Sequence, residues 1–339
     1  MTRIKKIGTL LAVLLAAALL LSAPVRAEME YRFSDKNTIF SEFSWGQEDI
    51  VEAIDFELYY GYPDGTLRLG NSITRAEFAA VLARCLDVSG TLGPRWYDAP
   101  VNGLIKLGII PDRSGDWDAA ITRLEVAQWL GRLAEVYRLP EKAPGASFSD
   151  TSDPYALKAA RVGLVKGISP GVLGGDQHLN RAQAAVLLLR VALSLDTDLP
   201  SDEELVQATK EILEDVNYDV SWFTKNLRVD PEVYKQLPHK RVTYEYFLKG
   251  QRDMLLGHRM GRDHSPIDVR KIAVVEKHNT VAYVVCEAVN LKYNLSKPIV
   301  SRFRKIDGRW MMTQGAGNKY SDVPFVKKWR EITNTPAEL

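Results

Sequence analysis

The 339-residue chain has only two cysteines, Cys85 and Cys286, far apart and each inside an apolar-patterned segment. That excludes a disulfide framework and points to buried thiols. Histidines number five, and no phosphate loop, nucleophile elbow, zinc-protease spacing or Cys-x-x-Cys pair occurs. A surplus of one charge is missing too. The 44 Lys plus Arg stand against 43 Asp plus Glu, a balance that does not fit a nucleic-acid binder. Beyond residue 27 no apolar run approaches the about 20 residues that a bilayer span requires.

One apolar run does open the chain. Arg3, Lys5 and Lys6 precede Ile7 to Leu21, and Val25-Arg26-Ala27 fits a small-residue cleavage site. Residues 1–27 read as a secretory signal peptide. No cysteine stands near the cleavage site to take a lipid. The mature protein is therefore expected to be secreted, with no membrane segment. Its charge is uneven: residues 28–200 carry 17 basic and 24 acidic side chains, residues 201–339 carry 23 and 19. The change places a domain boundary near Pro200.

A short phrase recurs within the first half: Ile73-Thr74-Arg75-Ala76-Glu77, Ile121-Thr122-Arg123-Leu124-Glu125 and Leu179-Asn180-Arg181-Ala182-Gln183. Each copy closes a larger unit. An aromatic-x-Asp start (Phe33 to Asp35, Trp96 to Asp98, Phe148 to Asp150) leads to a helical run, a Gly-rich turn and a second helix. The units span 31–89, 94–139 and 146–195. A repeat of this length marks supersecondary units that cannot bury their apolar faces singly. Phe78, Val81, Leu82 and Cys85 recur at three- and four-residue intervals, the stripe of a helix facing a core. Six main helices are predicted. Phe33, Trp96 and Phe148 are expected to be packing anchors.

The phrase also fits a helix start. Thr74 with Glu77 and Thr122 with Glu125 form the capping-box pattern, and Asn180 with Gln183 keeps its chemistry in amide form. Each cap is worth about 1 kcal/mol. The arginines have no such account. Arg75, Arg123 and Arg181 fall at the first helical position, where the helix dipole disfavours a cation. An anion bound beside unpaired backbone N–H groups would explain them. The alternative is an ion pair to a neighbouring repeat's Asp35, Asp98 or Asp150.

The aromatic-x-Asp starts, the turn Gly61-Tyr62-Pro63-Asp64-Gly65 and the Ile-Thr-Arg-Ala-Glu phrase together resemble S-layer homology (SLH) repeats over Tyr31 to Leu195. The resemblance implies a pseudo-threefold helical domain that anchors exported proteins to the bacterial cell wall by holding secondary cell-wall polysaccharide, often pyruvylated. It further implies that Arg75, Arg123 and Arg181 contact the ketal carboxylate in grooves between repeats. Sugar stacking would fall to Trp45, Tyr62 or Trp117, although Trp45 and Trp129 in helical runs also read as core. Gly61 and Gly65 either admit the sugar closely or only make the turn. Repeat one keeps the pattern best, which favours the groove containing Arg75. Repeat two lacks the Gly-Tyr-Pro-Asp-Gly wording, and Asn180 and Gln183 depart from it in repeat three.

After Ser201 the pattern changes. Ser201 and Glu204 form another capping box before a helical stretch reaching about Gly261. Four strands follow: 267–277, 280–293, 298–306 and 309–314, with Asp307-Gly308 as a hairpin turn. Residues 201–315 thus read as α+β, helices plus an antiparallel meander, with 316–339 as a tail. The last hairpin resembles that of nuclear transport factor two-like domains. Arg302, Arg304, Lys305 and Arg309 read as a solvated strand face.

The expected whole is a mainly α repeat domain followed by a smaller α+β domain. It would be a wall-anchored, non-enzymatic protein with no cofactor or metal, whose partner is secondary cell-wall polysaccharide. The rival is a secreted enzyme or small-ligand binder whose activity lies in the C-terminal domain. There His258, Asp263 and His264 form the one titratable cluster of interest. A third possibility is a decayed scaffold that binds no glycan.

Overall fold

Each repeat contributes two main helices that pack with the neighbouring repeat. The computed structural model describes residues 33–59, 61–62, 64–218, 267–290, 295–314 and 323–336. The expected signal peptide, the helical sequence past Tyr218 and the cluster of His258, Asp263 and His264 lie outside the described residues. Repeat one contains α1 (Asn37–Ser41), a 3-10 turn (Ser44–Gly46), α2 (Gln47–Asp55) and α3 (Arg75–Cys85). Repeat two contains α4 (Asp98–Lys106) and α5 (Arg123–Val136); repeat three contains α6 (Pro154–Arg161) and α7 (Arg181–Ala192). Among these, α3 packs on α4, α5 on α6, and α7 back on α2. The second helix of each repeat thereby covers the first helix of the next, and the series closes on itself.

Apolar periodicity explains the arrangement. Ile50, Ala53 and Ile54 of α2 and Phe78, Val81, Leu82 and Cys85 of α3 are buried. Helix α7 is buried almost all round, from Ala182 through Ala192, as expected of a helix enclosed by neighbours. Both thiols are free and buried, and burial pushes each up to about 12. Of the expected anchors, Phe33 is buried and Phe148 half-buried, but Trp96 is 64% exposed. The next residue, Tyr97, fills that place in repeat two. It is buried and stacks on Trp117 at 5.9 Å.

The second half begins with α8 (Asp202–Tyr218), where the Glu204 amide donates to Ser201 Oγ at 3.0 Å. Strands β1 (Ile267–Lys277), β2 (Val281–Asn290), β3 (Leu295–Ile306) and β4 (Arg309–Gln314) form an antiparallel meander in sequence order. Asp307 and Gly308 both take positive φ, 49° and 75°, as a two-residue hairpin turn requires. Residues 316–339, expected as a tail, supply α9 (Val323–Thr333). Its Phe325, Val326 and Trp329 lie at the three- and four-residue spacing of an apolar face. Trp329 is wholly buried and donates to the Lys271 carbonyl at 2.7 Å.

Alternation along β2 divides the sheet into two faces. Ala282, Val284, Phe303 and Trp310 pack with Leu205 of α8, whereas Val281, Tyr283, Val285 and Val300 join the same apolar cluster as the three repeats. Arg302 and Arg304 pair across from Tyr283 and Val281, so they share that second face. Both are 1% exposed, which corrects the expectation of a solvated strand face.

Partners from repeat one compensate this burial. Arg302 Nε lies 2.7 Å from Glu52 Oε1. Arg304 donates to the carbonyls of Glu57 and, at 2.7 Å, Arg84, just past α2 and at the end of α3. A cation is favoured at such helix C-termini. Thr280 Oγ1 donates to the Cys85 carbonyl at 2.7 Å, and Asp87 accepts the Asp307 and Gly308 amides at 2.9 Å each. The hairpin turn between β1 and β2 also grips the segment after α7: Asn279 N–H donates to the Leu195 carbonyl at 2.6 Å. Beside it, His278 Nδ1 is 2.6 Å from Asp196 Oδ1 and Nε2 is 3.1 Å from Glu276 Oε1. Burial alone depresses an imidazolium, but the bonds to both carboxylates and their charges outweigh it, holding His278 above the usual 6.5.

Two outcomes follow from this junction. Arg304→Ala removes the side-chain donor to the buried Glu57 carbonyl, takes one of two donors from the Arg84 carbonyl, which keeps the Asp87 amide, and opens a cavity, at a cost of about 2–4 kcal/mol. Urea unfolding followed by tryptophan fluorescence and by far-ultraviolet circular dichroism should shift as one transition. Because His278 is raised in the folded state, its contribution is complete below pH 6.5 and lost as pH rises through the folded pKa. The urea midpoint of wild type should fall over that window relative to its acid value, and the fall should shrink in His278→Gln.

Candidate functional site

The three phrases meet in a closed cycle of backbone hydrogen bonds. The Ile121 amide donates to Ile73 O at 3.0 Å, Leu179 to Ile121 O at 3.2 Å, and Ile73 to Leu179 O at 3.0 Å. Isolated bridges Thr74↔Ala120, Thr122↔His178 and Ser72↔Asn180 flank it. The apolar residue at the head of each phrase is thus both a buried side chain and a link to each of the other two repeats.

Each phrase then starts a helix with a complete capping box. The Glu77 amide donates to Thr74 Oγ1 at 3.1 Å while the Thr74 amide donates to Glu77 Oε2 at 3.0 Å. Thr122 with Glu125 repeats this exchange at 3.2 and 3.3 Å, and Asn180 with Gln183 at 2.8 and 3.2 Å. The next two amides are taken by the neighbouring repeat. Arg75 and Ala76 donate to Ala119 and Trp117, Arg123 and Leu124 to Gln177 and Gly175, and Arg181 and Ala182 to Asn71 and Leu69. All four N-terminal groups of each helix are therefore satisfied. The expectation of unpaired N–H groups beside the arginines is corrected: backbone from the adjacent repeat fills the place of an anion.

Side chains follow the same direction around the cycle. Arg75 reaches the turn of repeat two, where Nη1 donates to Ser114 O at 3.1 Å and the guanidinium lies over Trp117 at 4.9 Å. Its Nε is 2.9 Å from Glu125 Oε1, an ion pair without hydrogen-bond alignment. Arg181 reaches repeat one: Nε donates to Leu67 O at 2.9 Å, Nη1 lies 3.3 Å from Glu77 Oε1, and the rings of Tyr59 and Tyr62 lie 4.7 and 4.3 Å away. Arg123 reaches repeat three, donating from Nε to Leu173 O at 2.8 Å and from Nη2 to Lys166 O at 3.1 Å. Where its two counterparts face a glutamate, Arg123 has the neutral Gln183 position instead.

The cap-box glutamates therefore hold two roles, capping their own helix and pairing the preceding repeat's arginine. Asp35, Asp98 and Asp150, named from sequence as alternative partners, do other work. Asp35 accepts the amides of Leu67 and Arg68, and Asp150 those of Leu173 and Gly174, all at 2.8 Å. In these two repeats the aromatic-x-Asp start pins the segment leaving the turn. In repeat two, Asp98 accepts the Arg95 amide at 2.9 Å and binds Arg113. The recurrence of Glu, Glu and Gln in step with the arginines was the one sequence signal for the pairing.

The aromatic and glycine candidates separate. Tyr62 belongs with Arg181, donating to Glu77 Oε1 at 2.8 Å, so repeat one's turn and Arg75 serve different grooves. Trp117 is buried beneath Arg75, Trp129 is core, and Trp45 stands 58% exposed in the 3-10 turn. Gly61 is a packing requirement: its φ is 73° and a Cβ there would come within 2.6 Å of the Phe33 ring. Gly115, not singled out by sequence, has φ 87° and admits Arg75, since a Cβ would lie 2.0 Å from Nη1. Among the described residues no group of three or more His, Cys, Asp or Glu is arranged to hold a metal ion.

Gly115→Ala should displace Arg75 and strain the turn, lowering stability by about 1–3 kcal/mol. Thermal unfolding measures the loss, and a crystal structure of the variant should show the Arg75–Glu125 pair broken. Compared with known proteins, the chain matches no protein-family model and no curated protein at a significant level.

Proposed function

We propose that the three repeats form a carbohydrate-binding anchor that holds an exported protein on the bacterial cell wall through secondary cell-wall polysaccharide. One observation carries this reading: three copies of one phrase, joined in a cycle, each extend an arginine across to the turn of the next repeat. Repetition multiplies weak contacts along a polymeric ligand, which gains affinity by avidity without any strong single site. A guanidinium suits the carboxylate of an acidic sugar. The SLH resemblance of the repeats supports the same ligand, as does the signal-peptide pattern of residues 1–27.

The C-terminal α+β domain shares a core with the repeats in this reading, so the two halves are presented together. The sheet docks at the C-terminal end of α3, while the arginine cycle lies at its N-terminal end. A wall polymer bound at the cycle leaves the sheet on the far side. Because the sheet covers part of repeat one, the repeats rely on the second half for part of their burial.

The test is sedimentation of residues 28–339 with purified cell-wall sacculi that carry or lack pyruvylated polysaccharide. Pelleting is expected with the modified walls and is expected to fall several-fold without the modification. Equal pelleting with both wall types, or none with either, overturns the carboxylate-directed anchor.

A further inference from the structure

Among the three arginines, Arg123 stands apart in charge. It is 9% exposed, and both of its hydrogen bonds go to backbone carbonyls. No carboxylate lies in ion-pair contact with it among the described residues, and Nη1 has no protein partner there. Arg75 and Arg181 have Glu125 and Glu77 in the equivalent place. In the groove between repeats two and three that place belongs to Gln183, whose side-chain oxygen accepts the Asn180 amide. The acid that faces Arg123 at longer range is Asp150, and both of its oxygens hold the Leu173 and Gly174 amides.

A buried cation without a counter-ion is costly, and desolvation accordingly lowers the Arg123 pKa. Such a cost disappears when a ligand supplies the missing negative charge. In the other two grooves a ligand carboxylate must compete with, and repel, an internal glutamate. Lys166, whose backbone carbonyl accepts from Arg123, and Ile168, which lies against Gly174, are both exposed.

We propose that Gln183 is the specificity-determining residue that makes the groove between repeats two and three the acid-accepting one, with Arg123 holding the carboxylate of an acidic sugar. This rests on the carbohydrate-binding reading above and reverses the preference that sequence similarity gives to Arg75. The absent glutamate, which looks like decay when repeat three is read against its siblings, is what leaves the guanidinium available. The helix N-terminus contributes no free amide, so recognition depends on the side chain alone.

The experiment is isothermal titration calorimetry of the whole mature chain. The probes are methyl 4,6-O-(1-carboxyethylidene)-N-acetylmannosaminide and its neutral 4,6-O-ethylidene counterpart. Wild type is expected to take one equivalent of the acid sugar and to bind the neutral one about tenfold more weakly. Gln183→Glu supplies the internal counter-ion, so it should raise the melting temperature while weakening the acid sugar about tenfold. That pairing separates lost binding from lost folding. Glu125→Gln frees Arg75 and should add a second equivalent. Unchanged acid-sugar affinity in Gln183→Glu, or a stoichiometry that stays at one in Glu125→Gln, overturns the counter-ion argument while leaving the anchor reading in place. Failure of wild type to bind the acid sugar overturns the Arg123 assignment, while sedimentation with sacculi decides the anchor reading separately.

Discussion

Three backbone hydrogen bonds, from Ile121 to Ile73, Ile73 to Leu179 and Leu179 to Ile121, fix the geometry on which the rest of the helical half depends. Their residues are buried, so each amide and carbonyl needs a partner, and each finds it in a different repeat. Once the cycle closes, the amides that follow meet the neighbour's carbonyls and the helix starts are sealed. The arginine at the first helical position then has one direction open to it, across the joint. A cation opposed by its own helix dipole is tolerated there because the neighbouring repeat supplies carbonyl oxygens and, in two joints of three, a carboxylate.

The same economy of helix ends joins the two halves. Repeat one presents the carbonyls at the C-terminal ends of α2 and α3 to the sheet, and Arg304 and Thr280 donate to them. Asp87, just beyond α3, receives the tight hairpin turn. Such contacts are directional, so the apolar face of the sheet is held in one register on the repeats. Helix polarity thus organises the molecule twice: N-terminal ends gather the repeats to each other, and the C-terminal ends of α2 and α3 receive the second domain.

Much of this was legible in the sequence because it is local. The capping boxes follow from residues three apart, the six main helices from apolar periodicity, and β1 and β4 from alternation bounded by turn residues. The titratable partners were not legible. Arg302 and Arg304 look like any polar strand positions until the sheet is laid on Glu52 and the helix ends. Trp96 occupies the anchoring position by alignment with Phe33, yet its neighbour Tyr97 is the ring that goes inside. Tyr62 and Arg75 sit in one repeat and read as one site, but the cycle sends them to different grooves.

The sequence by itself determined the units: three repeats with capped second helices, an apolar stripe on each, and a meander after residue 266. These depend on interactions a few residues in range, which spacing records. Tertiary structure alone decided the joints, because each joint is made between repeats. Whether a repeated arginine meets a glutamate is set by which copy follows it around the cycle. No stretch of chain holds both partners, so only the assembled joints leave Arg123, alone of the three, without a carboxylate in ion-pair contact among the described residues.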